Sequence, residues 1–269
     1  MIQLFKISVF MLVIIKTVSD NIYLHDYGAY LKGEKNVSCA LYNGWSLYQA
    51  ITDSKLNDQV ILESGEIMYY IPYTQEGINP YYSYLENITL LFDGTVILHD
   101  NISSWPKKSD DEYINAIDIR NSNNIVIKGS GLIDGQGFTW WTNFLHGLIP
   151  RKRPTLIQIK DSTNILIKNL TLLNSPRFNV YADNVLHFKA HHLTIWVNTH
   201  QQQELSNSYS SIMFPFNTDG IDVIGQDIHL YHLNISNYDD SIAVKPSRVT
   251  NLPLENRTMN CSQDILVED

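Results

Sequence analysis

Short alternating apolar runs, each opened by a single polar residue, recur along most of the chain: Asn87-Ile-Thr-Leu-Leu, Asn124-Ile-Val-Ile, Asn164-Ile-Leu-Ile, His192-Leu-Thr-Ile, Asp227-Ile-His-Leu and Asp264-Ile-Leu-Val. Three of them are followed within a few residues by a second run, Gly131-Leu-Ile, Leu170-Thr-Leu and Leu233-Asn-Ile. Alternation at period two, bounded by Gly, Asn and Asp, is the mark of a short strand with one buried face. The starts lie 37, 40, 28, 35 and 37 residues apart, so loops of variable length separate the units. A β-sandwich would also show many short strands. The recurrence of one polar-then-apolar unit favours a solenoid, in which each coil buries its apolar side chains against the coils above and below. The pattern predicts an all-β parallel β-helix.

Two stretches break the pattern. In "NGWSLYQAITDSKLNDQVILESG", Asn43 is placed to cap a short helix whose Leu47, Ala50 and Ile51 fall on one face at helical spacing. Such a helix would cover the open N-terminal end of the solenoid and its strand edges. From Thr199 to Pro215 the chain is rich in Gln and Ser without a period and reads as a long loop. The first residues, "MIQLFKISVFMLVIIKTVSD", carry a lysine, an apolar run from Ile7 to Ile15 and then small or polar residues. They read as a secretory signal over 1–19. The apolar run is short of the about 20 residues that cross a bilayer. Residues 20–269 then form a single β-helix domain.

Composition narrows the function classes. The formal net charge is −9, which sets a negative field against nucleic acid and anionic membrane, and no membrane partner is expected. An acidic polysaccharide would also be repelled, except by a local basic lining. Sequons at Asn36, Asn87, Asn101, Asn169, Asn234, Asn256 and Asn260 are glycan acceptors in a secreted chain. Only Cys39 and Cys261 are available for a disulfide, so cystines do not hold this fold.

Candidate chemistry lies in "FNTDGIDVIGQDIHLYHLNISNYDDSIAVKPS". Aligning Ile221 and Val223 with Ile242 and Val244 sets an offset of 21 residues and puts Asp219 in register with Asp240, with Asp239 one place earlier. If 21 residues make one coil, equivalent positions stack at roughly 4.8 Å. Strict alternation would bury these acids with the isoleucines, so they belong in the turn before each strand, where Asn-Thr-Asp-Gly and Asn-Tyr-Asp-Asp-Ser are turn-prone. Converging carboxylates repel, which raises the proton affinity of at least one. One protonated acid and one ionised base are what general acid–base hydrolysis needs. For direct water attack on a glycosidic bond the two stand about 6.5 to 9.5 Å apart. Alternatives are that these Asp residues only cap turns, or that Asp219, Asp222 and backbone carbonyls hold calcium.

Four stretches, "GLIDGQGFTWW" from Gly131, "LLNSPRFNVY" from Leu172, "NTDGIDV" from Asn217 and "YDDSIAVKP" from Tyr238, resemble the polygalacturonase family, glycoside hydrolase family 28. The resemblance implies a right-handed parallel β-helix that hydrolyses pectin with inversion. It implies Asp239 as general acid, and Asp219 and Asp240 as the pair that holds and activates water. Asn217, Asp222 and Lys245 would line the substrate cleft, Lys245 facing a carboxylated sugar from the outward side of its strand. Trp140 and Trp141 offer rings for stacking on a sugar, and their place in an early coil favours packing instead. No cofactor or metal is implied, and the partner is polygalacturonate, bound by a monomer; the stretch around Asp239 is closest to the exo-acting branch. Family members carry, further on, a Gly-His-Gly segment and an Arg-x-Lys segment that grips the substrate carboxylate. Neither precedes Asp269, so the resemblance implies a chain cut at its C-terminus. The competing functions are a non-catalytic β-helix that binds carbohydrate or a cell-surface partner, and a lyase on the same solenoid.

Overall fold

The computed structural model describes residues 19–75, 80–200, 214–246 and 262–269. The signal stretch up to residue 18, most of the long loop (201–213), Cys261 and the sequons at Asn256 and Asn260 lie outside them. The predicted all-β class holds: parallel strands stack coil on coil along three walls. The first wall is built from Tyr82–Ser83, Ile117–Arg120, 157–160, 180–183, 221–224 and Ile242–Val244. The second runs from Asn21–Tyr23 through Gln59–Leu62, Glu86–Phe92, Asn123–Lys128, 163–168, 186–191 and 226–231 to Gln263–Glu268. The third comprises Ile67–Tyr70, Thr95–Leu98, Leu132–Asp134, Thr171–Leu173, 194–196 and 234–236.

Each wall contributes columns of like side chains to one continuous core. Ile117, Ile157, Val180 and Ile221 stack on the first wall, Ile88, Ile125, Ile165, Phe188 and Ile228 on the second, and Met68, Val96, Ile133, Leu172 and Ile195 on the third. All of these are buried to 3% exposure or less. The polar opener of each unit is a corner at the start of the second wall. Asn87, Asn124, Asn164, His187, Asp227 and Asp264 all have φ between +54° and +56°. That left-handed conformation turns the chain sharply and is least costly for Asn and Asp among residues with a side chain.

One expected unit is corrected here. The fourth corner is His187, paired with Asp227 at 2.6 Å, and His192 belongs to the following corner, meeting His232 of the next coil edge-on. The strand Val180–Trp196 runs through all three walls, so it contains two polar openers five residues apart, and the aliphatic run after His192 imitates the other units more closely than Phe188-Lys189-Ala190 does.

The uneven spacing has a structural cause. On the first wall the coil from Ile221 to Ile242 takes 21 residues and that from Ile157 to Val180 takes 23, whereas Ile117 to Ile157 takes 40 and Val180 to Ile221 takes 41. The first long coil carries a helix not foreseen from the sequence, α2 (Gly137–Leu145). Trp140 and Trp141 lie on it, fully buried: Trp140 meets Trp105 and Tyr113 edge-on, and the Trp141 indole N–H donates to the carbonyl of Ser175 at 3.0 Å.

The N-terminal helix is longer than expected and starts earlier, as α1 (Val37–Asp53). Its cap is Asn36, whose Oδ1 accepts from the N–H of Ser38 at 2.8 Å. Asn43 lies inside the helix, fully buried, and bonds to the backbone of Tyr30 and Tyr69. Leu47, Ala50 and Ile51 form the buried face as expected. At Gly44 a Cβ would come within 1.9 Å of the Ile71 carbonyl, so glycine sets how closely α1 sits on the coil beneath. Among the described residues no helix is long and apolar enough to cross a membrane.

Because each core side chain is packed by its own wall and by the coils on either side, truncating Ile167 in the second wall is expected to lower the unfolding free energy by about 2–5 kcal/mol. Urea denaturation of Ile167→Ala measures it; a loss under about 0.5 kcal/mol, typical of a surface change, would contradict the stacking described.

Candidate active site

Two turns precede neighbouring strands of the first wall, 216–220 before Ile221 and 237–241 before Ile242. Parallel pairing of Ile221 with Ile242 and Val223 with Val244 puts the turns one coil apart at the offset of 21 residues. Backbone bonds continue the ladder into the turns: Gly220 N–H donates to the Asp240 carbonyl at 2.8 Å and Ile221 N–H to that of Ser241 at 3.0 Å. The Asn237 amide donates to the carbonyls of Thr218 and Asp240, both at 3.0 Å. From the coil below, Asn179 donates its backbone N–H and its side-chain amide to the Asp219 carbonyl at 2.9 and 3.0 Å. A Cβ on Gly220 would meet the Ser241 carbonyl at 2.3 Å, which is why glycine follows the acid.

With both turns pinned, Asp219, Asp239 and Asp240 each present a carboxylate oxygen within 4.8 Å of the others. Asp219 is buried and the other two are exposed. Asp239 accepts backbone N–H bonds from Asn217 and Asp240, both at 3.0 Å. Burial, and secondarily the charge of Asp239, pushes the Asp219 carboxyl above its ordinary value, and the ammonium of Lys245 at 3.5 Å partly offsets this.

The three residues expected to line the cleft occupy different places. Asp222 is fully buried. Lys245, the residue after the strand Ile242–Val244, turns its ammonium back onto Asp222 one coil below, so its charge is matched inside the wall. Burial first, and then the charge of Asp219, raises the Asp222 carboxyl to about 7 even though the hydrogen bond from Lys245 works against the rise. Asn217, at φ +61°, spends its backbone N–H on Asp239 and its Oδ1 on Arg153 at 3.2 Å, so it ties the turn together.

Three neighbours went unnoticed in the sequence. Arg153 is 1% exposed; its Nη2 donates to the Phe216 carbonyl at 2.7 Å, its guanidinium lies on the Phe144 ring of α2, and its Nη1 is buried without a partner. Burial, with the nearby charges of Arg177 and Arg151, brings it down to about 9. Arg177 and Phe178 sit in the turn before Val180, one coil below Asp219. Both arginines are visible as letters, Arg177 inside "LLNSPRFNVY", but their approach to the acids depends on a 41-residue coil whose length cannot be read from the pattern.

The hard oxygens of Asp219, Asp239 and Asp240 also form a donor set of the kind a divalent cation takes, as do His25, Glu63 and Glu66 in the N-terminal coils. The calcium alternative joined Asp219 to Asp222, and there the Lys245 ammonium already occupies the Asp222 carboxylate.

The fold and site together define a solenoid of parallel coils with acids gathered on one wall. The chain belongs to glycosyl hydrolases family 28, whose model matches residues 78–263. It is 33% identical over 140 residues to a probable polygalacturonase of Vitis vinifera, covering 45% of this chain and 28% of that one. It is 33% identical over 150 residues to an endo-polygalacturonase of Pectobacterium carotovorum subsp. carotovorum, covering 51% and 33%. Among solved structures, the polygalacturonase from Erwinia carotovora superposes with a TM-score of 0.63 at 22% identity over 83% of this chain and 58% of that one. The chain thus matches about a third or less of the length of these curated relatives.

The Asp222 shift has a sign that can be tested. The unfolded carboxyl releases its proton near 3.8 and the folded one near 7, so in that window the folded state holds more protons and a rise in pH favours unfolding. The Asp222→Asn variant lacks this contribution. Its stability relative to the parent chain is therefore expected to improve as pH rises from 3.8 to 7 and to level off above, in denaturation measured across that range; a pH-independent difference would contradict the assignment.

Proposed function

We propose that the chain is a polygalacturonase-type glycosidase that hydrolyses α-1,4-galacturonosyl linkages of pectin. The observation that carries this is the convergence of Asp219, Asp239 and Asp240 on one wall of a family 28 chain. Asp239, exposed and fixed by two backbone N–H groups, is the general acid toward the glycosidic oxygen. Asp219 and Asp240 hold the attacking water. A water accepts or donates at about 2.8 Å to each partner, so it bridges two oxygens up to about 5.6 Å apart, and the observed spacing fits.

Inversion belongs to this proposal. The nearest oxygens are closer than the about 6.5 to 9.5 Å usual between one acid and one base, so inversion rests on the division of labour among three acids. It is tested by the first anomer released: an α linkage yields a β hemiacetal. The chain acts as a secreted monomer in this reading, without a cofactor. The exo mode is supported by the residues around Asp239 and is tested by product size, single galacturonate units against a ladder of oligomers.

Reducing-sugar release from polygalacturonate is expected to fall at least about a hundredfold in Asp239→Asn, the scale of a lost general acid. Prior treatment with a chelator is expected to leave the rate unchanged. Undiminished hydrolysis by Asp239→Asn removes that residue from the mechanism, and absence of hydrolysis by the parent chain favours the binding-module alternative.

A further inference from the structure

A cleft built from acids has to admit a polyanion, and the described cation nearest the acids on the wall, Lys245, is already matched by Asp222 and Asp219. Arg177 is in the opposite condition. Among the described residues no carboxylate comes within ion-pair distance of its guanidinium, and its Nε is buried with no hydrogen-bond partner. The planar group rests on the Phe178 ring at 4.1 Å, and the Lys245 ammonium rests on the same ring at 4.5 Å. One aromatic ring therefore seats two cations, of which one is neutralised and one is free.

Burial, and then the repulsion of Arg151, lowers the pKa of the free one, and the charges of Asp219 and Asp222 act in the opposite direction. Arg153 is buried with an unpartnered nitrogen of its own but braces the turn at Phe216–Asn217, whereas no described carboxylate pairs with Arg177. Leaving a partly buried guanidinium unpaired costs stability, and a planar carboxylate is the partner whose geometry matches its fork.

We infer that Arg177 is a specificity-determining residue that binds the carboxylate of a uronate residue next to the scissile bond, with Phe178 holding the guanidinium in plane. The inference rests on the proposed function for its substrate class, and it names a cation supplied by the described chain itself. It also answers how a chain of net charge −9 accepts an acidic polymer: the attraction is local, contributed by a group the acids do not consume.

The test is binding of trigalacturonate and of its fully methyl-esterified form, by calorimetry in an Asp239→Asn background so that neither ligand is consumed. Arg177→Met keeps an apolar stem on Phe178 and removes the charge; Arg177→Lys keeps the charge and removes the fork. The Met variant is expected to bind trigalacturonate about ten- to a hundredfold more weakly, with the ester affected less than about twofold, and the Lys variant to fall between. Equal affinity of the Met variant for trigalacturonate, or an equal loss on both ligands, overturns the inference. Arg177-dependent binding by a parent chain that releases no reducing sugar sustains the inference and overturns the proposed hydrolysis. Hydrolysis by the parent chain with Arg177-independent binding does the reverse.

Discussion

The structure depends on the chain returning to the same wall in the same register after every circuit. In a solenoid the backbone N–H and C=O groups of one coil are satisfied by the coils above and below, and a slip of one residue would send every core side chain outward. The columns of isoleucine and valine fix that register. The bonds from Gly220 to Asp240 and from Ile221 to Ser241 are steps of the same ladder, so the interaction that packs the core also sets the spacing between acids. Stability and chemistry share one set of hydrogen bonds at this point. Asn237 and Asn179 extend the set with side-chain amides, clamping the turns from the coil's own residues and from the coil below.

Gathering carboxylates on a chain that is already acidic has an electrostatic cost, and the fold distributes it unevenly. Asp222 and Asp219 are both buried, share the Lys245 ammonium, and each keep one oxygen without a partner. Asp239 and Asp240 remain exposed, where water screens them. The acids are thus graded in depth along a single wall. Arg153 works from behind this gradient, joining the Asn217 turn to the Phe144 ring of α2, so the insertion on one long coil supports the turn that ends the other.

How far the sequence discloses this varies with the range of the interaction. The repeat, the stacked walls, the register of Asp219 with Asp240 and their place in turns were legible, because each rests on alternation within a few residues and on one short coil. The helix boundary was misplaced because Asn36 and Asn43 are both plausible caps, and burial of Asn43 against Tyr30 and Tyr69 is a tertiary fact. His192 was taken for His187 because polar openers sit at two corners of one long strand. Asp222 was expected in the cleft from the family resemblance; it is buried beneath the Lys245 ammonium, and a side-chain direction of that kind is not encoded in spacing. The arginines were hidden by coil length, since only a known 41-residue circuit puts Arg177 and Phe178 beneath Thr218 and Asp219.

Coil length also explains why the acids are where they are. A long coil can absorb an insertion without moving its strands, as the coils carrying α2 and residues 201–213 do. The circuit between Asp219 and Asp240 is among the shortest on the wall, and its residues are used almost entirely in strands and corners, from Ile221 through Asp227 and His232 to Ser236. There is no slack in it through which the distance between the two turns could drift. Variation is thereby confined to the neighbouring coils, where it changes the cleft's lining of rings and cations. The spacing of the carboxylates, on which any acid–base chemistry depends, is held by a segment that the fold leaves no freedom to vary.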